Sequence, residues 1–374
     1  MLLQDVLKKA IKRPINSREA LFLFEQTEQI HRALDLLWTA SSVRDRETRK
    51  TIYFDGFIGP VIPCRNEPPC KYCIRSAKLP DGTPLLEIYE KTGTLSLEEI
   101  SLGIKAIKDT GIGTLLLLGG TNPQFIPVIK QAVKITREVA PDLKIRINVG
   151  PAFENNDLLE LKNSGVTGIT SSFEIMNKRL FRKFKPADSL EKRIKLARMI
   201  DKLDFELQSG MLIGLGESYR DRVEHMFYLK NFKNFNYFIV NWLHPFKGTP
   251  VEDYPSPSPF EAARTAAIAR LIFRDIYIQV AIRPYIQLWL MAGCNRFADM
   301  VYLWAYRKEN WPGRSVLSNY LGELIAEVEV KGMKVEKIAK NLYLKNLLPI
   351  MVGYIKSCGL KLETQILQKY PNAE

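Results

Sequence analysis

No stretch of this chain could cross a membrane as a helix. Its greasiest window, residues 276–292, is broken by Gln279, Arg283, Pro284 and Gln287, whereas a span needs about 20 apolar residues in a row. The opening residues, MLLQDVLKKAIKRPINSREA, hold no apolar core of signal-peptide length. Five cysteines in 374 residues, three of them clustered, do not make a secreted disulfide framework. A reducing, cytoplasmic setting is expected. Basic tails, RNA-binding motifs, low-complexity tracts and long repeats are also missing. The net charge of +13 comes from Lys and Arg scattered among acidic residues. That pattern reads as a solvated basic surface with no nucleic-acid or membrane partner, and it suits a small, anionic substrate.

At 46% hydrophobic content the chain can bury a large core. Residues 17–47 read as helices with apolar faces carrying Leu21, Phe24, Ile30, Leu34, Leu37 and Trp38. Alternation follows. TIYFDGFIGPV reads as a strand, and Ser96 caps a helix with Glu99 as its capping-box partner. TLLLLGG is a buried strand. Helices near 124–139, 155–163, 188–203, 218–230 and 259–273 then alternate with the strands KIRINVG, VTGITSSFE, FELQSGMLIG, FNYFIVNWL and IYIQVAI. Strand–helix alternation implies right-handed βαβ units and a parallel sheet. Seven or eight units fit a closed α/β (βα)8 TIM-type barrel over residues 51–305. An N-terminal helical segment, 1–50, precedes it, and a helical extension without strands, 306–374, follows and covers one end. Polar and glycine-rich residues come after the strands, where a barrel carries its active site.

The first strand leads into CRNEPPCKYC, which sets Cys64, Cys70 and Cys73 in a C-x₅-C-x₂-C run. Three thiolates on one loop can hold three irons of a 4Fe–4S cluster and leave the fourth open. Zinc prefers four ligands and has no nearby Cys or His to supply the last one. A disulfide would leave one thiol over. Cys294 and Cys358 are too few for a second metal site and read as buried structural thiols. Three later strand ends point to a ligand on the open iron. Gly119, Gly120 and Thr121 allow close backbone approach, though a tight turn needs the same glycines. Glu174 in SSFE and Arg193 on the next helix could hold a ribose and a carboxylate. The stretch GMLIGLGE, with Gly210, Leu212 and Gly214, could run flat beneath an adenine.

Taken together, these signals resemble the radical S-adenosylmethionine (radical SAM) superfamily, in the full-barrel group of biotin synthase, HydE and methylornithine synthase. The likeness spans roughly residues 20 to 305 and includes KYCIRSA, GMLIGLGES, HPFKGTP and MAGCNRF. The resemblance implies that Cys64, Cys70 and Cys73 ligate a 4Fe–4S cluster and that S-adenosylmethionine chelates its open iron. It implies cofactor contacts from Tyr72, Gly119, Gly120, Thr121, Asn148, Ser172, Glu174, Arg193, Gly210, Leu212 and Gly214. An electron donor such as ferredoxin or flavodoxin is implied as well, and reductive cleavage to a 5′-deoxyadenosyl radical. Two departures stand out: the family's usual gap is C-x₃-C-x₂-C, and its usual GGE is GGT here. The longer gap resembles the HmdB group, which serves biosynthesis of the iron–guanylylpyridinol cofactor of iron-only hydrogenase. At the places where biotin synthase carries a second cluster, Arg146 and Gln208 stand instead of cysteines. Substrate-facing candidates are Asn241, Arg283 and His244, with Gln208 and Tyr285 also at strand ends. Two readings stay open beside this one: a HydE-like or methylornithine-synthase-like enzyme on another small substrate, and a non-enzymatic iron–sulfur scaffold.

Overall fold

The computed structural model describes residues 1–78, 81–84, 94–280, 285–304 and 347–371. Eight parallel strands follow one another around a nearly closed α/β barrel: β1 (Thr51–Gly59), β2 (Thr114–Leu118), β3 (Lys144–Asn148), β4 (Val166–Thr170), β5 (Glu206–Ile213), β6 (Phe235–Trp242), β7 (Tyr277–Val280) and β8 (Arg296–Trp304). The hydrogen-bonded order runs from β7 back through β1 to β8. The remaining seam, between β7 and β8, is bridged by Asn295. Its N–H donates to the Ile278 carbonyl (3.0 Å), and its Oδ1 accepts from the Ile278 N–H (2.9 Å) and from Arg270 Nη2 (2.8 Å).

The helices form where the sequence sets caps. Ser96 accepts from the Glu99 N–H while the Glu99 carboxylate reaches back to the Ser96 N–H, which opens helix Leu97–Lys108 as expected. Helices Asn155–Asn163 and Pro259–Phe273 also span the expected residues. Two short helices escaped the sequence reading, Lys178–Phe184 and Ile286–Met291, whereas Leu3–Lys12 lies inside the segment expected to be helical. One expected apolar face is corrected: Ile30, Leu34 and Trp38 on helix Ile30–Glu47 are exposed, Trp38 by 64%. That helix packs through Ala33, Leu36, Leu37, Ala40 and Val43, a stripe whose small residues let it lie close to the barrel.

Strand alternation divides the core in two. Outward residues such as Ile145, Ile147, Leu207 and Val240 join the large cluster between sheet and helices. Inward residues Phe57, Leu116 and Ala298 make a small apolar group in the lumen, with Leu118 against it. Below that group the lumen is polar. Arg296, almost wholly buried, donates from Nε to both Asp55 oxygens (2.9 Å each) and from Nη2 to Thr114 Oγ1 (2.9 Å), and it lies 4.3 Å from the Tyr277 ring centre. Among the described residues, no helix is long and apolar enough to cross a membrane.

The C-terminal segment closes the end of the barrel opposite the cysteine loop. Helix Leu347–Ser357 leads into β9 (Lys361–Leu362), which pairs with Thr51 and Ile52 at the start of β1. The expectation of an extension without strands is therefore corrected, because the edge of β1 below the barrel rim accepts a further strand. Most of that extension, residues 306–346, lies outside the described residues. Beyond β9, Glu363 turns toward the Arg296–Asp55 pair. Burial pushes its carboxyl up to about 7, with Arg296 opposing and Asp55 reinforcing the shift. A carboxyl raised in the fold favours the protonated form. Stability should therefore fall as pH rises from the ordinary carboxyl range to about 7 and level off above it. Glu363→Gln should flatten that slope, worth on the order of 2 kcal/mol, in denaturant unfolding measured across pH 4.5–8. An unchanged slope would refute the assignment.

Candidate active site

The cysteine loop leaves β1 at the C-terminal end of the barrel and is fastened to the exit of β2 by main-chain bonds. The Val61 N–H donates to the Leu118 carbonyl (2.7 Å), the Gly120 N–H to Ile62 (2.9 Å), and the Asn122 N–H to Pro63 (3.2 Å). Gly120 is required by this contact, since a Cβ there would lie 2.2 Å from the Cys64 backbone nitrogen. Thr121 continues the fit. Its hydroxyl lies 3.3 Å from Cys64 Sγ and donates to Asn66 Oδ1 at 3.0 Å. Further along, the Cys73 N–H donates to Cys70 (2.9 Å), and the Lys71 N–H to Phe184 (2.9 Å).

Cys64, Cys70 and Cys73 are unpaired thiols, each half-buried. Burial pushes the Cys70 thiol up and the Cys73 thiol up to about 12, so both await a positive centre before giving up their protons. Among the described residues, no group of three His, Cys, Asp or Glu side chains is gathered tightly enough to hold a lone metal ion. Three soft ligands spread along one loop, with no fourth ligand among them, fit three corners of an iron–sulfur cluster better than zinc. Cys294 is fully buried as expected. The same expectation is corrected for Cys358, which is exposed because it lies just past the end of helix Leu347–Ser357.

Next to the loop sits a network that the sequence showed only in part. Glu174 has a left-handed backbone (φ 58°), a strained conformation for a residue with a side chain. Two bonds to β5 hold it: its N–H donates to the Gly210 carbonyl, and its carbonyl accepts from the Leu212 N–H, both at 2.9 Å. Its Oε2 accepts from the Tyr72 hydroxyl and from Lys185 Nζ (2.6 Å), while Oε1 lies 4.0 Å from Arg193 Nη1. Arg193 in turn donates to Asp188 from Nε (2.9 Å) and Nη2 (2.6 Å), and to the Ser172 carbonyl from Nη1 (2.6 Å). Lys185, 2% exposed, also pairs with Asp188 at 3.2 Å. Two acids and two bases balance. Burial alone would raise both carboxyls, but the Arg193 and Lys185 charges outweigh it, lowering Glu174 and holding Asp188 at about 2. Lys185 and Asp188 were missed because, in KFKPAD, each looks like an ordinary surface charge.

The other expected residues divide between the rim and the lumen. The Gly119 N–H donates to the carbonyl of half-buried Asn148 (2.8 Å), and Ser172 Oγ lies 3.4 Å from the Gly210 carbonyl. A Cβ at Gly210 would meet the Ile239 carbonyl at 2.5 Å. Gly214 (φ 99°) donates its N–H to both Glu217 oxygens (3.0 and 3.1 Å), so this carboxylate shapes the loop after β5. Asn241 pairs with Leu212 across β6 and β5. His244 packs against Trp242 with ring centres 4.8 Å apart and planes tilted by 49°, and burial lowers its imidazole to about 3, which keeps it neutral near neutral pH. Tyr285 is exposed at 43%, and Arg283 lies outside the described residues.

Comparison with known proteins agrees with this geometry. Residues 64–229 match the model of the radical SAM superfamily. An uncharacterized protein of Methanocaldococcus jannaschii is 38% identical over 264 residues, covering 71% of this chain and 68% of that protein. Biotin synthase of Thermodesulfovibrio yellowstonii is 24% identical over 84% of this chain and 95% of its own length. The 3-methylornithine synthase of Methanosarcina acetivorans is 24% identical over 70% and 71%. In fold, the crystal structure of methylornithine synthase superposes with a TM-score of 0.72 at 18% identity, covering 99% of this chain and all of that one. The hydrogenase maturase HydG superposes with a TM-score of 0.67 at 14% identity, covering 99% and 88%. With its three loop cysteines at the mouth of a (βα)8 barrel, this chain belongs to the radical SAM superfamily, whose enzymes use a 4Fe–4S cluster and S-adenosylmethionine.

Proposed function

We propose that this radical SAM enzyme works in the cytoplasm on the pyridinol part of the iron–guanylylpyridinol cofactor, as its likeness to the HmdB group implies. The observation that carries the reading is the C-x₅-C-x₂-C spacing on a barrel akin to biotin synthase. The absence of cysteines at Arg146 and Gln208 argues against sulfur insertion from a second cluster. The whole-chain likeness in fold to methylornithine synthase favours, as a second reading, another small substrate on the same radical chemistry.

In this reading Cys64, Cys70 and Cys73 would hold the cluster, which, once reduced by the external donor, would supply one electron to the sulfonium of bound S-adenosylmethionine, so that its S–C5′ bond would break to methionine and a 5′-deoxyadenosyl radical. The chain's own task is to bind, orient and exclude water. Glu174 Oε2 is committed to Tyr72 and Lys185, which leaves Oε1 for the ribose hydroxyls. Arg193, held flat by Asp188 and the Ser172 carbonyl, turns its remaining donor capacity to the carboxylate. Gly119, Gly120 and Thr121 would lie at the amino group, where threonine in place of the usual glutamate leaves a hydroxyl that gives its proton to Asn66 and can only accept from the ammonium. Asn148, Gly210, Leu212 and Gly214 line the nucleoside side. Asn241 and Arg283 would face the substrate, with His244 beside them as a neutral hydrogen-bonding group. A low-potential donor of the ferredoxin or flavodoxin type would deliver the electron to the basic surface.

Reconstituted with iron and sulfide, and reduced with S-adenosylmethionine present, the protein should release 5′-deoxyadenosine, and Cys73→Ala should release none. No release above that control would refute the radical reading. The pyridinol role has its own test: deleting the gene from its native host should abolish the guanylylpyridinol cofactor by mass spectrometry, and a deletion strain that still makes it would refute that role. Lys185→Met should raise the KM for S-adenosylmethionine about tenfold with a smaller change in kcat, and lower stability by about 3 kcal/mol by leaving one buried negative charge uncompensated. Lys185→Arg should restore most of both. Equal losses in KM and kcat, with no rescue, would show that Lys185 does not position Glu174.

A further inference from the structure

The reading above uses the rim of the barrel and leaves its inner wall without a role. Contacts across the lumen show which side chains point inward. The Tyr237 hydroxyl, on β6, lies 3.4 Å from Asp55 on β1 and meets Gln279 on β7. The Arg146 guanidinium lies 5.2 Å from the Tyr237 ring centre and 5.8 Å from that of Tyr277. Ladder partners share a face, and Gln208 pairs with Tyr237, Thr170 with Gln208, and Gly168 with Arg146. Arg146, Thr170 and Gln208 therefore sit on three consecutive strands, β3, β4 and β5, and face the lumen. They lie one inward layer, about 7 Å along the strand, beneath Asn148, Ser172 and Gly210.

These three side chains are almost completely buried, at 1%, 2% and 1% exposure. Four of their polar atoms nevertheless have no hydrogen-bond partner: Arg146 Nη1, Thr170 Oγ1, and both Nε2 and Oε1 of Gln208. Folded proteins keep few such atoms, because each forfeits its hydration without compensation. The polar floor just below is satisfied by comparison: Arg146 Nη2 pairs with Glu206 and lies 3.4 Å from Asn236 Oδ1, and Arg296 is paired with Asp55 and Thr114. Among the described residues one floor atom, Glu363 Oε2, also lacks a partner, but on the barrel wall itself the unsatisfied atoms fall on three consecutive strands. On the opposite side, β8, β1 and β2 present Ala298, Phe57 and Leu116. The lumen has one polar wall and one apolar wall.

We infer that Arg146, Thr170 and Gln208 hold the substrate, and that it is a small carboxylic acid with an amine or hydroxyl beside the carboxylate and an apolar body. Three donors, Arg146 Nη1, Gln208 Nε2 and the Thr170 hydroxyl, meet the carboxylate. The single acceptor, Gln208 Oε1, takes the neighbouring N–H or O–H. Arg146 excludes a cationic head from this wall, and Phe57 and Leu116 receive the apolar part. The inference rests on the radical reading only for where the chemistry happens; the binding can be measured without it.

The test uses the reconstituted full chain and, as probes, the standard L-amino acids and L-lactate, with amino-acid amides as controls lacking the carboxylate. Calorimetry should find at least one acid that binds while its amide does not. Thr170→Val should weaken that binding about tenfold, the equivalent of one hydrogen bond, and Gln208→Glu, which sets a carboxylate against a carboxylate, should abolish it. Without any probe, Thr170→Val and Gln208→Leu should raise the melting temperature by about 1–2 °C each, since each removes a buried polar group that lacks a partner. A lowered melting temperature would mean that water or protein already satisfies these groups, and would overturn the inference. So would the absence of any binding acid. Release of 5′-deoxyadenosine by the wild type, followed in parallel, separates the two readings. Release without acid binding sinks the wall alone, and acid binding without release sinks the radical reading alone.

Discussion

Closure of the barrel is the constraint on which the site depends, and among the described residues Asn295 is central to it. Between β7 and β8 the hydrogen-bonded ladder stops, and Asn295 spans the gap with its backbone and side chain together. Arg270 holds the asparagine from outside the ring. Its other nitrogens are spent on the carbonyls of Gly293, Arg274 and Ile276. Burial pulls this guanidinium down to about 9, a measure of how far it has been taken from water to serve as a brace. A closed ring turns eight separate strand ends into one rim, so residues as far apart in sequence as Cys64 and Arg193 face a common space.

Charge inside this ring is handled in two ways. At the floor and beside the cysteine loop, most buried charges have an opposite partner: Arg296 with Asp55, Arg146 with Glu206, and Glu174 and Asp188 with Lys185 and Arg193, while Glu363 at the floor is held toward its neutral form instead. Removing one member of such a set leaves an uncompensated charge in a poor solvent. On the wall between these two levels, polar atoms are left without partners. Satisfied groups stabilise the scaffold, and unsatisfied ones mark the places where stability has been given up.

Much of this could be read from the sequence, for identifiable reasons. Strand–helix alternation is a strong periodic signal, and a capping residue such as Ser96 marks a helix start within a residue. The cysteine spacing is local, so it needs no fold to be recognised. What stayed hidden depends on contacts distant in sequence. Lys185 and Asp188 acquire meaning only when a short helix folds back to lay them beside Glu174. The seam at Asn295 is a single polar residue with no pattern around it. The exposure of Ile30, Leu34 and Trp38 runs against hydropathy, which reports what a residue prefers and not which face a tightly packed helix presents. Cys358 was misjudged on the same grounds, since cysteine's general preference for burial says nothing about a helix end.

The absence of room for a side chain at Gly120 has a consequence for metal loading. Because the path of Cys64 is set by packing against bare backbone and by main-chain bonds at both shoulders of the loop, the socket holds its shape through protein–protein contacts alone. Metal centres that fold their own ligands spend part of their binding free energy on lost chain entropy. Here that ordering is complete when the barrel closes, so the affinity of the thiols for iron goes into retention. A loop ordered in advance spends less of the cluster's binding free energy on its own folding.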